Sequence, residues 1–378
     1  MSFITRTKSG LAGRAGLAGA LAGGLMVTGV LVSTAAPAVK PTSPAAHPSL
    51  ATLVAGSKKE DGKLVVYGNP SQTVMAPVIA AFQAAYPWVK VTHYDLDDNT
   101  IFSKYIAERS SSAPSADLLI SSAPNLWIYA SRKKLATDFT PRDIAAYPSF
   151  ARQYKGIFVM STDPAITIYN KLLLKNSSDV PTGIGDLAQR VKADPGTYGK
   201  LTAYTVDNNF GYAGYWAYVQ KNGWSALNAL APSTRTTSSA GTMLQTVAQG
   251  GAVAAFLTSG AVRGAIASNK TIGDTVGWTY EKDLTPLVPR GIAITSGASR
   301  PFTAKLFVDW AFSTAGQQTL CEAGFTPYRN DFRPVNCQNS LQNLYDAVGK
   351  SHTYLVPFSQ KYVNDKPKFS TLWHNTFK

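Results

Sequence analysis

Short apolar runs alternate with stretches of helical periodicity through the first third of the chain. The run KLVVYG at residues 63–68 is rich in β-branched and aromatic side chains, which predicts a strand. Residues 73–85 follow with apolar positions on one helical face, and further strands are predicted at 89–94 and 117–121. Pro124 stands where the first turn of another helix is expected. This strand–helix order predicts a parallel sheet with helices on both faces.

The same alternation continues through the rest of the chain. Two bodies of one architecture would share this order of elements, so we expect an α/β protein of two lobes, each a mostly parallel sheet flanked by helices. The elements predicted here are strands at residues 165–170, 201–205, 253–257 and 291–295, and helices at 240–250, 301–313 and 314–323.

The N-terminus has the pattern of an export signal. Cations such as Arg6 and Arg14 precede an apolar run at residues 17–32, and Ala36-Pro37-Ala38 follows as a small-residue cleavage site. The run is shorter than a spanning helix needs and contains four glycines. We therefore expect a signal peptide over residues 1–38, cleaved after about Ala38, and a mature protein in the periplasm. A leader rich in Pro, Ala and Ser and a short helix fill residues 39–62.

Composition narrows the choice of partners. The chain has 36 Lys and Arg against 22 Asp and Glu, a net charge of +14, which favours anionic partners. The cations are scattered rather than clustered, so we do not expect nucleic acid to bind. Cys321 and Cys337 are the only cysteines, and in an oxidising compartment they predict one structural disulfide.

Six segments, in this order, resemble the iron, thiamine and phosphonate branch of the type II periplasmic binding proteins. They include LVVYG near the start, ADLLISS in the middle and TSSAGTMLQTVAQGGAVAAFL towards the end. The segments are residues 53–68, 74–91, 116–122, 165–174, 237–257 and 288–318.

The resemblance implies a receptor of an ABC importer rather than an enzyme. One lobe would comprise residues 63–162 plus 288–378, including a C-terminal stretch packed on it, and the other residues 163–287. Two chain crossings, near residues 161–164 and 282–289, would form the hinge. A small ligand would bind between the lobes and close them, and a permease in the inner membrane would bind the closed form. We expect a monomer with no cofactor and no metal.

Polar residues follow several predicted strands and precede helices. In open parallel sheets, ligands bind outside these carboxyl ends, where the free N–H groups of helix starts point into the crevice. Each such residue could instead be only a helix cap. The ligand-binding residues predicted in this way are Asn69, Ser71, Gln72, Ser121, Ser122, Thr237, Ser238, Ser239, Thr258 and Ser259.

Charged residues near these positions indicate the type of ligand. Arg263 is the preferred cation for a carboxylate or phosphate, whereas Arg235 is more simply a surface charge. Asp95, Asp97 and Asp98 form either a cation or amine site or a set of helix-start charges. We expect a basic, hydroxyl-rich cleft that binds an organic anion such as a phosphate ester, phosphonate or carboxylate.

Three alternatives remain open at this stage. Iron-binding relatives use two adjacent tyrosines where residues 256–264 read FLTSGAVRG, and this sequence has no Tyr-Tyr pair, which weighs against a ferric-ion receptor. A ligand-sensing receptor for a membrane kinase would have the same fold. A secreted hydrolase is the least favoured, because the chain has no recognisable catalytic motif.

Overall fold

The computed structural model describes residues 47–377. The predicted signal peptide, its cleavage site and most of the leader lie outside the described residues. None of the helices in the described part of the chain is long and apolar enough to span a bilayer.

Strands and helices alternate through the described residues. The strands are β1 (Lys63–Gly68), β2 (Lys90–Asp95), β3 (Leu118–Ser121), β4 (Arg152–Tyr154), β5 (Ile157–Asn170), β6 (Leu201–Tyr204), β7 (Thr234–Thr237), β8 (Ala254–Ser259), β9 (Val276–Tyr280), β10 (Thr285–Ile294) and β11 (Thr353–Leu355). The α-helices are α1 (Leu50–Ser57), α2 (Gln72–Ala85), α3 (Asp98–Ser110), α4 (Pro124–Arg132), α5 (Ile184–Ala193), α6 (Pro195–Tyr198), α7 (Asn209–Asn222), α8 (Ser225–Leu230), α9 (Ala240–Ala248), α10 (Val262–Ser268), α11 (Lys270–Thr275), α12 (Pro301–Ala311), α13 (Thr314–Glu322), α14 (Leu341–Val348) and α15 (Gln360–Thr376).

The strands form two parallel groups within one continuous sheet order. In the first lobe β1 pairs in parallel with both β2 and β3, and β10 pairs antiparallel with β3. In the second lobe β6 pairs in parallel with both β7 and β8, and β5 pairs antiparallel with β8. This arrangement confirms the predicted α/β class, but the sheet in each lobe is mixed, because β5 and β10 pair antiparallel with their neighbours.

Two long strands pass from one lobe to the other. The first part of β5 pairs with β4 and β10, and its last part pairs with β8 and β9. Where the strands cross together, Ser161 lies opposite Arg290 and Pro164 lies opposite Leu287. Strand β5 therefore begins eight residues earlier than the predicted strand at 165–170.

The period-two pattern of β1 places its side chains in two separate cores. Leu64 and Val66 are fully buried against one set of helices, with Phe82 of α2 in the same core. Tyr67 points to the opposite face, where it packs with Ile101 of α3. This double-sided burial fixes the register of β1, and with it the direction in which the loop after the strand leaves the sheet.

The C-terminal region is held at both ends. Cys321, in α13, and Cys337 form the predicted disulfide. Helix α15 packs along α7 of the second lobe, with Tyr212 against Tyr362 and Tyr215 against Trp373. The expectation that this stretch packs on the first lobe is thus wrong for most of α15, because its aromatic side chains match those of α7.

Candidate functional site

A cavity of about 840 Å³ lies between the two lobes. A volume of this size suits a small organic ligand. Polar residues from both lobes line it, together with apolar side chains such as Tyr204, Phe210 and Leu244. The cavity is therefore neither a dry core void nor a purely ionic site.

The starts of several helices face this cavity, among them those of α2, α3, α7 and α9. The residues that cap α2, α3, α7 and α9 all belong to its lining, and each accepts a hydrogen bond from a backbone N–H of its own helix. Each helix start carries a partial positive charge. The capping residues are Ser71, Asp97, Asn208 and Ser239.

The structure brings six of the predicted binding residues to the cavity lining and leaves five outside it. Two of the side chains outside bind other parts of the fold: Gln72 donates to the carbonyl oxygen of His93 (2.8 Å), and Ser121 donates to Asp98 (2.5 Å). The lining residues are Asn69, Ser71, Ser122, Ser238, Ser239 and Ser259, and those outside the lining are Gln72, Ser121, Thr237, Thr258 and Arg263.

Arg263 does not take the role predicted for it. Its guanidinium is buried, and it donates to the backbone oxygen of Gly260 (2.8 Å), the hydroxyl of Tyr280 (2.9 Å) and the hydroxyl of Thr326 (2.7 Å). Because these neutral acceptors occupy its N–H donors inside the protein, Arg263 links three segments of the fold instead of binding a ligand in the cavity. Arg235, the weaker candidate, is exposed and lies beside a separate cavity of about 350 Å³.

Arg290 of β10 is the cation that lines the cavity, and the sequence analysis did not select it. It is only 3% exposed. Its Nε and Nη2 donate to Oδ2 of Asp163 on the neighbouring strand β5 (2.8 and 2.5 Å), and its Nη1 donates to Asn69. One feature of the sequence could have identified Arg290: it is the only charged residue in the otherwise apolar strand TPLVPRGIAI. A charge that is buried in this way needs a partner.

Four carboxylates share the lining with this one guanidinium: Asp95, Asp97, Asp98 and Asp207. Partial burial of its carboxyl group raises the pKa of Asp95, although the residue as a whole is exposed. Burial also raises the pKa of Asp98, against the opposing effects of the Ser121 hydrogen bond and the charge of Arg290. The expected basic cleft is therefore not what the structure has. The excess of Lys and Arg in the composition lies elsewhere on the molecule.

Two of these carboxylates stabilise the start of α3 and the loop after β3. Asp97 caps α3, and although burial alone would raise its pKa, hydrogen bonds from Thr100 and Asn99 outweigh that effect and lower the pKa. Asp98 also accepts the backbone N–H of Ser122 (3.1 Å). Both therefore act as helix-start charges, one of the two interpretations of DLDDN, while Asp95 and Asp207 retain exposed carboxylates.

Metal ligands do not gather in the described residues. No three His, Cys, Asp or Glu side chains there come together as a metal site. Tyr204, the tyrosine that lines the cavity, is buried, which raises the pKa of its hydroxyl and opposes the phenolate form that ferric ion needs.

Comparison with known proteins connects this geometry to a family. The family model described as "Bacterial extracellular solute-binding protein" matches residues 78–339. No curated protein matches the chain by sequence.

Solved structures share the fold at low sequence identity. The substrate binding protein of an ABC transporter from Agrobacterium tumefaciens is 19% identical with a TM-score of 0.74, covering 88% of this chain and 97% of its own. AfuA from Actinobacillus pleuropneumoniae, with fructose-6-phosphate bound, is 18% identical with a TM-score of 0.67 (84% and 99% covered). Iron-bound HitA from Pseudomonas aeruginosa is 16% identical with a TM-score of 0.64 (83% and 99%). These likenesses confirm the expected two-lobed periplasmic binding fold.

Proposed function

Because this chain belongs to the bacterial extracellular solute-binding proteins, we propose that it is the receptor of an ABC importer and delivers a small amine-bearing organic solute to an inner-membrane permease. The solute binds in the cavity between the lobes and closes them on itself. Closure then follows from the tighter binding of the solute to the closed form, since a ligand shifts a conformational equilibrium only through differential affinity.

The observation that carries the choice of an amine is the charge of the cavity lining. Its one cation, Arg290, is already paired with Asp163. The lining offers no second cation for the exposed residues Asp95 and Asp207, although His374 from outside the lining approaches Asp207 at 3.4 Å. An ammonium group is the natural partner of a carboxylate. Tyr204 and Phe210 add aromatic surface, on which an organic cation is stabilised.

An organic anion, such as a phosphate ester, phosphonate or carboxylate, is the second candidate. The starts of α2 and α9, capped by Ser71 and Ser239, favour it, as do the N–H groups of Arg290 that its contacts with Asp163 and Asn69 do not use. AfuA, a structural neighbour, was solved with fructose-6-phosphate bound. The anion ranks second because its phosphate, phosphonate or carboxylate group would enter a lining that has four carboxylates and one guanidinium, and like charges repel.

A thermal-shift panel followed by calorimetry separates the candidates. The panel contains polyamines and amino sugars in one arm and phosphate esters, phosphonates and carboxylates in the other. We expect stabilisation in the amine arm, because a ligand that binds only the folded state raises its stability. Stabilisation confined to the anion arm would replace the amine proposal with the second candidate.

A pair of matched variants tests the site. Asp207→Asn removes a carboxylate from the lining, and Asp274→Asn removes one of similar exposure (69% and 64% for the two side chains) on α11. For the amine found in the panel, we expect Asp207→Asn to raise the dissociation constant about fivefold and Asp274→Asn to leave it unchanged. Equal affinities in all three proteins would remove Asp207 from the site.

A further inference from the structure

The C-terminal helix α15 contacts both lobes. At its start, Arg132 of α4 donates to Gln360 (2.5 Å), which ties the helix to the first lobe. Further along, the hydroxyl of Tyr212 donates to the carbonyl oxygen of Tyr362 (2.7 Å), which ties it to α7 of the second lobe. The helix lies beyond residues 78–339, the part of the chain that the family model covers.

Lys366, in the middle of α15, reaches the rim of the cavity. Its Nζ donates to Oδ1 of Asn209 (2.8 Å), and Nδ2 of Asn209 lies 3.5 Å from Oδ1 of Asn99 on α3. Asn99 and Asn209 both line the cavity and belong to opposite lobes. These contacts form a polar chain from α15 through the second lobe to the first.

Two carboxylates of opposite lobes act on Lys366 through their charge. Burial lowers its pKa, and the charges of Asp98 in the first lobe and Asp207 in the second oppose that shift. His374, eight residues further along α15, approaches Asp207 at 3.4 Å. When the lobes close, these two carboxylates approach each other, and without the added charge of Lys366 their repulsion would shift the balance towards the open form.

We propose that Lys366 is a positioning residue of the binding cleft: it offsets the repulsion between Asp98 and Asp207, orients Asn209, and so sets the balance between open and closed lobes. This inference rests on the proposed receptor function only in that the lobes open and close. It makes the C-terminal helix part of the binding machinery, since solute affinity depends on how readily the cleft closes.

The test measures the distance between lobes in the solute-free protein. Nitroxide labels are placed by Ser103→Cys on α3 and Gln249→Cys after α9, both exposed positions, and the native cysteines stay in their disulfide. Pulsed electron resonance then gives the distance distribution for the wild type, Lys366→Met, Lys366→Arg and the control Lys368→Met, which removes an exposed lysine of the same helix.

We expect Lys366→Met to lower the ratio of closed to open lobes about fivefold, the lower end of ordinary coupling between sites. Lys366→Arg should restore the ratio and Lys368→Met should not change it. Because the effect is one of charge, 0.5 M NaCl should shift the wild type towards the open form and Lys366→Met towards the closed form, since only the repulsion between Asp98 and Asp207 is left for the salt to screen. A structural role alone would not produce rescue by arginine together with this salt dependence.

Identical distance distributions for the wild type and Lys366→Met would overturn the inference. If Lys366→Met does not fold, as judged by circular dichroism, Asn99→Ala and the salt titration of the wild type carry the test, and no shift in either would overturn it. No solute is used, so a receptor that fails to bind amines leaves this result interpretable. A wild type that shows only one lobe distance at every salt concentration would overturn the inference, while closure driven by a solute would still be tested by the ligand panel.

Discussion

The pairing of Arg290 with Asp163 gives the sharpest prediction about stability. Asp163 is fully buried in β5 and has two kinds of partner: the Arg290 guanidinium, through two N–H groups, and the hydroxyl of Ser161 (2.9 Å). Arg290→Met removes the guanidinium and leaves a buried carboxylate with only the hydroxyl. Breaking a buried ion pair from one side costs about 3–5 kcal/mol, because the remaining charge has neither water nor a counter-charge. We expect the free energy of unfolding to fall by that amount.

The double variant Arg290→Met/Asp163→Leu provides the decisive comparison. It removes both charges and replaces them with apolar groups, an exchange that is often close to neutral. We expect the double variant to be more stable than Arg290→Met alone. Urea unfolding followed by the fluorescence of the seven tryptophans measures all three proteins. A loss below about 1 kcal/mol in Arg290→Met, or a double variant less stable than the single one, would refute the reasoning.

Two further predictions concern the disulfide and a buried acid. Replacing both Cys321 and Cys337 by serine should lower the free energy of unfolding by about 3 kcal/mol, because the bond closes a loop with a sequence separation of 16 residues. Dithiothreitol should then lower the urea midpoint of the wild type but not of the variant, and an unchanged wild type would contradict this. Burial raises the pKa of Glu281 from 4.5 to about 8, so the folded protein holds a proton there that the unfolded chain has lost. Stability should therefore fall between about pH 4.5 and pH 8, at up to about 1.4 kcal/mol per pH unit from this group. Glu281→Gln should show a flatter pH dependence of the urea midpoint, and a slope equal to that of the wild type would contradict the assignment.

Local signals explain which parts of the fold could be predicted from sequence. The strand at residues 63–68 and the helix that begins at Pro124 were predicted because β-branched and aromatic residues in the first, and proline at the first helical position in the second, are local signals. Strand β5 was predicted too short, because its first part is specified by β10, more than 120 residues away, rather than by its own pattern around Pro164. Local patterns do not contain such pairings.

In the candidate site, too, residues with a local signal could be predicted and residues with distant partners could not. Ser71 and Ser239 could be predicted, since an N-cap at the end of a strand is a local feature. Arg263 and Arg290 were misjudged because an arginine's role depends on partners distant in sequence: Tyr280 and Thr326 for the first, Asp163 for the second. The charge of the cleft was misjudged for a related reason, since net composition does not say which side chains face the cavity.

The measurement that tests the central claim most directly is a crystal structure of the protein purified from its native host together with the solute it retains. The account predicts density for one small organic molecule between the lobes, in contact with Asn69 or Ser71 on one side and Ser238 or Ser239 on the other, with an amine near Asp95 or Asp207. A solute bound outside this cavity, or touching only one lobe, would contradict it.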